Sequence, residues 1–264
     1  MYIEKVNVKT ISPNNNDSQN ELYWTKIQKK INPKVGLLAL STDLTIESDF
    51  QSICQKLPLD LFVNRIHNEN PLTKENLLKM HDQIEPITQK ILPGQKINTV
   101  AYGCTSGTIA IGEDQVKEKV QLAKPGCYVT TPITSAIKAF KEMNVKKIAL
   151  FTPYPESVNK TILEYFNRKN INIISFSTFN IDLDEDIANV DQEYLLEILI
   201  KLNISDADAL FISCTALPVL EIIEKVEKKV KKIVLSSNQT LIWDTIRSVG
   251  YKPPVEGYGK LLRN

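Results

Sequence analysis

Two thiols stand in matching surroundings. Asn98-Thr99-Val100-Ala101-Tyr102-Gly103-Cys104-Thr105-Ser106-Gly107 and Asp208-Ala209-Leu210-Phe211-Ile212-Ser213-Cys214-Thr215-Ala216-Leu217 each lead from an apolar, strand-like run into a small residue, a cysteine, a threonine and another small residue. Each run then enters a helix-like pattern. A thiol ordinarily ionises near about pH 8.5, and a helix N-terminus lowers that value through unpaired N–H groups and partial positive charge. Two such thiols across one crevice suit a reaction in which a proton leaves one face of a carbon and returns to the other, one sulfur acting as base and the other as acid. A lone cysteine on an apolar strand reads as a space-filler, and Cys54 and Cys127 keep that reading. The repeat lifts Cys104 and Cys214 out of it.

An enolate-like intermediate of a carboxylic acid needs donors where negative charge develops. The backbone N–H groups after each cysteine, at Thr105 and Ser106 and at Thr215 and Ala216, together with the hydroxyls of Thr105, Ser106 and Thr215, are candidates. So are Tyr154, held between two prolines, and Asn238 at a helix start. Thr42 and Asp43 close the first strand of the sheet. Arg65 offers a guanidinium to a substrate carboxylate, with a surface salt bridge as the competing reading.

The elements that must position these groups come in two similar rounds. Lys34 to Leu40, Asp60 to Ile66, the strand before Cys104 and Tyr128 to Thr130 form the first set. Lys147 to Phe151, Ile171 to Ser177, Asp208 to Ser213 and Ile233 to Leu235 form the second. Val35 and Ile148 lie 113 residues apart, Cys104 and Cys214 110, and Thr130 and Ser236 106, a slow drift of the kind that loop-length changes give in a duplicated unit. Helical patterns fill the intervals: Thr45 to Leu57, a helix capped by Thr73 and kinked at Pro86, a run from Gly107 to Lys124, one from Pro132 to about Met143, Glu156 to Lys169, Asp191 to Leu202, Ala216 to Val230, and a last one from Asn238 to about Val249. Strands alternating with helices predict an α/β fold of parallel, doubly wound sheets with ligands beyond the strands' carboxyl ends. The expected organisation is a polar extension over residues 1–33, a first lobe over 34–144 and a second over 145–238, with a C-terminal helix over about 239–264 packing on the first. Within the extension, Ser12 to Asp17 reads as a turn or disordered run and Tyr23 to Ile27 as a short helix.

Composition narrows the function. The 264 residues carry 32 basic and 31 acidic side chains, a net charge of +1, which leaves no electrostatic footprint for nucleic acid or a membrane surface. Four cysteines without CxxC spacing and only two histidines, His67 and His81, argue against a disulfide framework, a zinc site or a histidine-based triad. No GxGxxG or Walker sequence supports a nucleotide. No metal and no organic cofactor are expected. Met1 to Lys34 is polar and Asn-rich without an apolar core, and no run approaches membrane-spanning length, so a cytoplasmic protein with reduced thiols is expected. A homo-oligomer is compatible with all of this.

Gly103-Cys104-Thr105-Ser106 and Ser213-Cys214-Thr215-Ala216, with Thr152-Pro153-Tyr154 and Ser236-Ser237-Asn238-Gln239, resemble the aspartate/glutamate racemase superfamily. Within it the chain is similar to the branch of arylmalonate decarboxylase, maleate cis–trans isomerase and the ectoine-utilisation protein A group, and it resembles the last most, through Leu40 to Thr45, Ala101 to Gly107, Phe151 to Tyr154, Phe211 to Ala216 and Ser236 to Gln239. The resemblance spans roughly residues 34–250. It implies two flavodoxin-like lobes related by a pseudo-twofold with the active site between them, and cofactor-independent chemistry on a small carboxylate. The decarboxylase has glycine where Cys104 stands, which argues against decarboxylation. Maleate isomerase keeps both cysteines, one serving as a nucleophile on the double bond, and is the rival to racemisation of a small carboxylic acid or amino-acid derivative. A non-catalytic small-molecule binder with incidental thiols is the alternative of a different class.

Overall fold

The computed structural model describes residues 2–9, 20–27 and 31–264. Residues 1–32 and 33–264 form separate units. In the first, β1 (Tyr2–Lys9) and β2 (Asn20–Ile27) pair antiparallel from Tyr2 opposite Ile27 to Lys9 opposite Asn20. Tyr23 to Ile27, expected as a short helix, is therefore strand. Its tyrosine, tryptophan, threonine and isoleucine are strand formers. Ser12 to Asp17 lies outside the described residues.

The second unit carries two parallel sheets of the same design. β3 (Lys34–Leu40), β4 (Asp60–Ile66), β5 (Thr99–Tyr102) and β6 (Tyr128–Thr130) stand in the order β4-β3-β5-β6. β7 (Lys147–Thr152), β8 (Asn172–Thr178), β9 (Ala209–Ile212) and β10 (Ile233–Ser236) stand in the order β10-β9-β7-β8. Numbered within its own half, each sheet runs second, first, third, fourth. The chain reverses direction across the sheet between the first and third strands, which is where a doubly wound sheet opens a crevice at its carboxyl edge. β5 and β9 are buried at every position, as parallel strands covered on both faces must be.

The halves share a core. Phe140 of the helix Pro132–Glu142, Phe166 of the helix Glu156–Arg168 and Phe211 of β9 meet edge to face, with ring centroids 5.2 Å apart for Phe140–Phe211 and 5.8 Å for Phe166–Phe211. The helix Ser237–Ser248 follows β10 yet hydrogen-bonds to first-half residues: Thr245 Oγ1 lies 2.9 Å from Thr130 Oγ1, Ser248 Oγ 2.7 Å from Thr99 Oγ1, and Ser135 donates to Asp244 at 2.9 Å.

Several helices differ from the expected runs. The stretch after Cys104 is two helices, Thr105–Ile111 and Glu113–Ala123, because Gly112 takes φ 100°, where the helical ladder cannot continue. The helix expected to kink at Pro86 breaks earlier, into Lys74–Lys79 and His81–Gln89, at Met80, whose side chain is fully buried beside Tyr102. No helix starts at Ala216: a single 3₁₀ turn, Leu220–Ile222, precedes the helix Ile223–Val230. Pro218 disfavours helical geometry at Leu217 and so delays the start. The C-terminal segment is helical over Ser237–Ser248 and Lys260–Arg263 only, interrupted by Gly250 at φ 86° and by Pro253-Pro254. Among the described residues no helix is long and apolar enough to cross a membrane.

Candidate active site

The carboxyl ends of the first and third strands of both sheets supply the side chains of one buried cluster. Cys104 follows β5 in extended geometry and caps the helix Thr105–Ile111, its Sγ accepting the Gly107 N–H at 3.2 Å with Ser106 Oγ at 3.8 Å. Position 107 has no room for a side chain: a Cβ there would lie 2.8 Å from Cys104 Sγ and 2.7 Å from Met80 Cε. The glycine thus lets the backbone N–H reach the sulfur. Cys214 follows β9 in an irregular loop, where its thiol receives the Tyr154 hydroxyl and the Ala216 N–H. Tyr154, which follows β7, is buried, and both cysteines act on its hydroxyl. Its carbonyl is held by Asn159 Nδ2 at 2.6 Å and Thr178 Oγ1 at 2.8 Å, which fixes the Pro153-Tyr154-Pro155 turn.

Two carboxylates complete the cluster. Asp43 follows β3; its Oδ1 accepts the N–H groups of Thr45 and Ile46, both at 2.8 Å, and so starts the helix Ile46–Cys54. Its Oδ2 is buried and makes no close hydrogen bond; the Thr215 hydroxyl is turned toward this carboxyl. Asp184 heads the short helix Asp184–Ala188 in the loop after β8, and its Oδ2 accepts from Thr42 Oγ1 at 2.8 Å and Asn68 Nδ2 at 3.0 Å. Asp184 acts electrostatically on Cys104, Cys214, Tyr154 and Asp43.

The thiols do not have the lowered pKa expected from helix N-termini. Burial pushes Cys104 up to about 12, against the opposing Gly107 N–H, with Asp184 and Asp43 adding to the rise. Cys214 is raised as well, first by burial and then by Asp184, while Tyr154 and Ala216 oppose it. In this closed arrangement both thiols are held protonated, because desolvation outweighs one or two N–H contacts. Burial also raises Asp43, Asp184 and Tyr154 above their ordinary values.

The remaining sequence candidates divide between lining the cluster and bracing it. Ser106 and Thr215 belong to it. Ala216 contributes its N–H, while its carbonyl accepts from Thr45 Oγ1 at 2.6 Å across the two halves. Thr105 donates to Ser237 Oγ at 2.9 Å and ties the first cysteine loop to the last long helix. Thr42 is taken up by Asp184 and Asn68. Arg65 is not a free guanidinium for substrate: it donates to the carbonyls of Leu40 and Asp43, both at 2.9 Å, and to Glu47 at 2.7 Å, so it braces the Asp43 loop from behind. Asn238 donates its Nδ2 to Asp49 at 2.8 Å and to the Thr215 carbonyl at 2.7 Å, bracing the second cysteine loop, while its Oδ1 is buried without a close partner. Sequence reasoning missed Asp184, Asn68 and Asp49. The first two stand after the second strand of their halves, so carrying the duplication through to those loops would have found them.

The family model for arylmalonate decarboxylase matches residues 81–262. The chain belongs to the arylmalonate decarboxylase family. Among relatives, the maleate isomerase of Geobacillus stearothermophilus is 25% identical over 245 residues, covering 87% of this chain and 96% of that one. The arylmalonate decarboxylase of Bordetella bronchiseptica is 27% identical over 140 residues, 52% of this chain and 58% of its own. Among solved structures, a cysteine-to-serine variant of the Nocardia farcinica maleate cis–trans isomerase with a covalently bound succinylcysteine intermediate superposes with a TM-score of 0.80 at 20% identity, over 88% of this chain and 98% of that one. The two-lobed architecture of the arylmalonate decarboxylase family is thus the fold seen here.

Proposed function

We propose that this protein is a cofactor-independent isomerase that moves a proton between the two faces of a carbon next to a carboxyl group in a small carboxylic acid or amino-acid derivative. The observation that carries the reading is that Cys104 and Cys214, each buried after the third strand of its half, share the same electrostatic neighbours, Tyr154, Asp43 and Asp184, with Cys214 hydrogen-bonded to the Tyr154 hydroxyl. One sulfur, as thiolate, removes the proton and becomes a thiol. The C–H electron pair moves into the carboxyl group to give the enolate, and the opposite thiol returns its own proton to the other face. Tyr154, which burial keeps protonated, and the N–H groups beside each sulfur donate to the developing charge. Every group the step needs belongs to this chain. The cysteines among the described residues are all free, which supports action in the cytoplasm, where thiols stay reduced.

A second reading has its own support. Similarity to maleate isomerases runs along 87% of the chain, and a relative of that name is described with a covalent succinylcysteine. Here one cysteine would add to a cis double bond, the carbon–carbon bond would rotate as a single bond, and elimination would release the trans acid and the thiolate. A panel of small carboxylic and amino acids with maleate, incubated with the enzyme in D₂O and followed by NMR and protein mass, separates the two. Deuterium at the carbon beside the carboxyl without a mass adduct supports proton transfer. Fumarate from maleate with an adduct on Cys104 or Cys214, and no deuterium uptake by saturated acids, replaces it with the second reading.

A further inference from the structure

The thiols of this site are faced by acids and by no base. Asp43 and Asp184 are 1% and 5% exposed, lie close enough to raise one another's field, and both act on Cys104 and Cys214. None of the ion pairs among the described residues involves either carboxylate. Arg65 of β4 spends its guanidinium on the Leu40 and Asp43 carbonyls and on Glu47. Capping explains half of Asp43: Oδ1 holds two N–H groups, but Oδ2 is buried without a close partner, and Thr215 and Asp184 both act on this carboxyl. Burying carboxylates without a cation is costly, and the cost falls when a cation arrives.

We propose that Asp43 and Asp184 receive a positively charged amino group of the substrate, so that the site takes a small amino acid or amino-acid derivative and discriminates against dicarboxylates such as maleate. This rests on the reading that Cys104 and Cys214 flank the reacting carbon. An ammonium group beside the carboxylates lowers the negative field at both sulfurs, which eases formation of the one thiolate the reaction needs. A dicarboxylate does the reverse, adding two negative charges to a pocket that already holds two acidic groups.

The test uses the full chain and matched probes: aspartate against succinate and maleate, and 2-aminobutyrate against butyrate, both enantiomers where they exist. Binding is read by calorimetry and, independently, by protection of Cys104 and Cys214 from alkylation. The amino member of each pair should bind roughly ten- to a hundredfold tighter, the range of a charge-assisted hydrogen bond, and protect both cysteines. Asp184→Asn should collapse that preference, and Asp43→Asn should do the same. Because Asp43 also starts a helix, Asp184→Asn and the preference of the unaltered protein carry the test if Asp43→Asn does not fold. Equal or tighter binding of succinate or maleate, a preference unmoved by either folded variant, or no binding of any probe overturns the proposal. Maleate bound with both cysteines protected removes the amino-group receptor and leaves the two-thiol site standing. Amino acids bound without protection of either cysteine remove the two-thiol site itself.

Discussion

The two halves of the molecule share one strand order and one place for a cysteine, yet they finish the site differently. In the first half Cys104 caps a helix and its sulfur is met by a backbone N–H made accessible by Gly107. In the second half Pro218 holds the helix off, and the Cys214 sulfur is met by a phenol and by the Ala216 N–H of an irregular loop. The ends of the first strands differ too: Asp43 after β3, Tyr154 after β7. Duplication supplied a symmetric frame, and the side chains placed on it are unlike, so the two thiols sit in unequal surroundings. The lesson is that equivalent positions in a repeated fold predict which residues meet, while the local loop decides what each can do.

The comparison can be broken first at the joint between the halves. Phe211→Ala removes the ring on which Phe140 and Phe166 converge and should cost about 3–5 kcal/mol of stability, measured by denaturant unfolding. A loss under about 1 kcal/mol would show that the halves do not depend on that shared core. Removing the second half's donor is the next largest change. Tyr154→Phe should lower kcat/KM by roughly ten- to a hundredfold, the worth of a buried hydrogen bond of about 1–3 kcal/mol, with thermal stability nearly unchanged. Unaltered kinetics would remove Tyr154 from the site.

A third test bears on the contact between the helix that Asp43 starts and the last long helix. Burial raises Asp49 to about 8, although Asn238 donates to it. Folded Asp49 thus keeps its proton where the unfolded chain has lost it, so its contribution to stability is complete below about pH 4 and is lost as pH rises toward about 8, by at most ~1.4 kcal/mol per pH unit. Asp49→Asn should flatten that part of the Tm-against-pH curve. An unchanged slope between pH 5 and about 8 would assign the proton elsewhere.

Much of the frame was legible because it is written in local patterns. Apolar runs ending in small and hydroxyl residues mark β5 and β9, and Tyr154 stands out between two prolines at a strand end. The extent of the helix after Cys214 was overread, although Pro218 carried the signal. Arg65 was left between a substrate carboxylate and a salt bridge because its strand-end position suits both, and the loop's path, which brings Glu47 and two carbonyls to the guanidinium, favours the second. Asp184 carries no local signal beyond its place after the second strand of its half: its loop is brought to the cluster by long-range contacts, from Leu72 N–H to the Asp182 carbonyl at 3.1 Å and from Thr42 to Asp184 itself. The raised pKa values of the thiols depend on burial, which is a property of the whole assembly of elements and not of any motif.

The central claim is that Cys104 and Cys214 serve opposite faces of one carbon. Its most direct test is enantiomer-resolved hydrogen exchange in D₂O by Cys104→Ser and Cys214→Ser with a substrate found in the panel above. Each variant should lose net racemisation by at least about a thousandfold, within the range for removing a general acid or base. Each should still exchange the α-proton of one enantiomer, with opposite preferences in the two variants. The same preference in both, or a variant that racemises at the parent rate, would contradict the account.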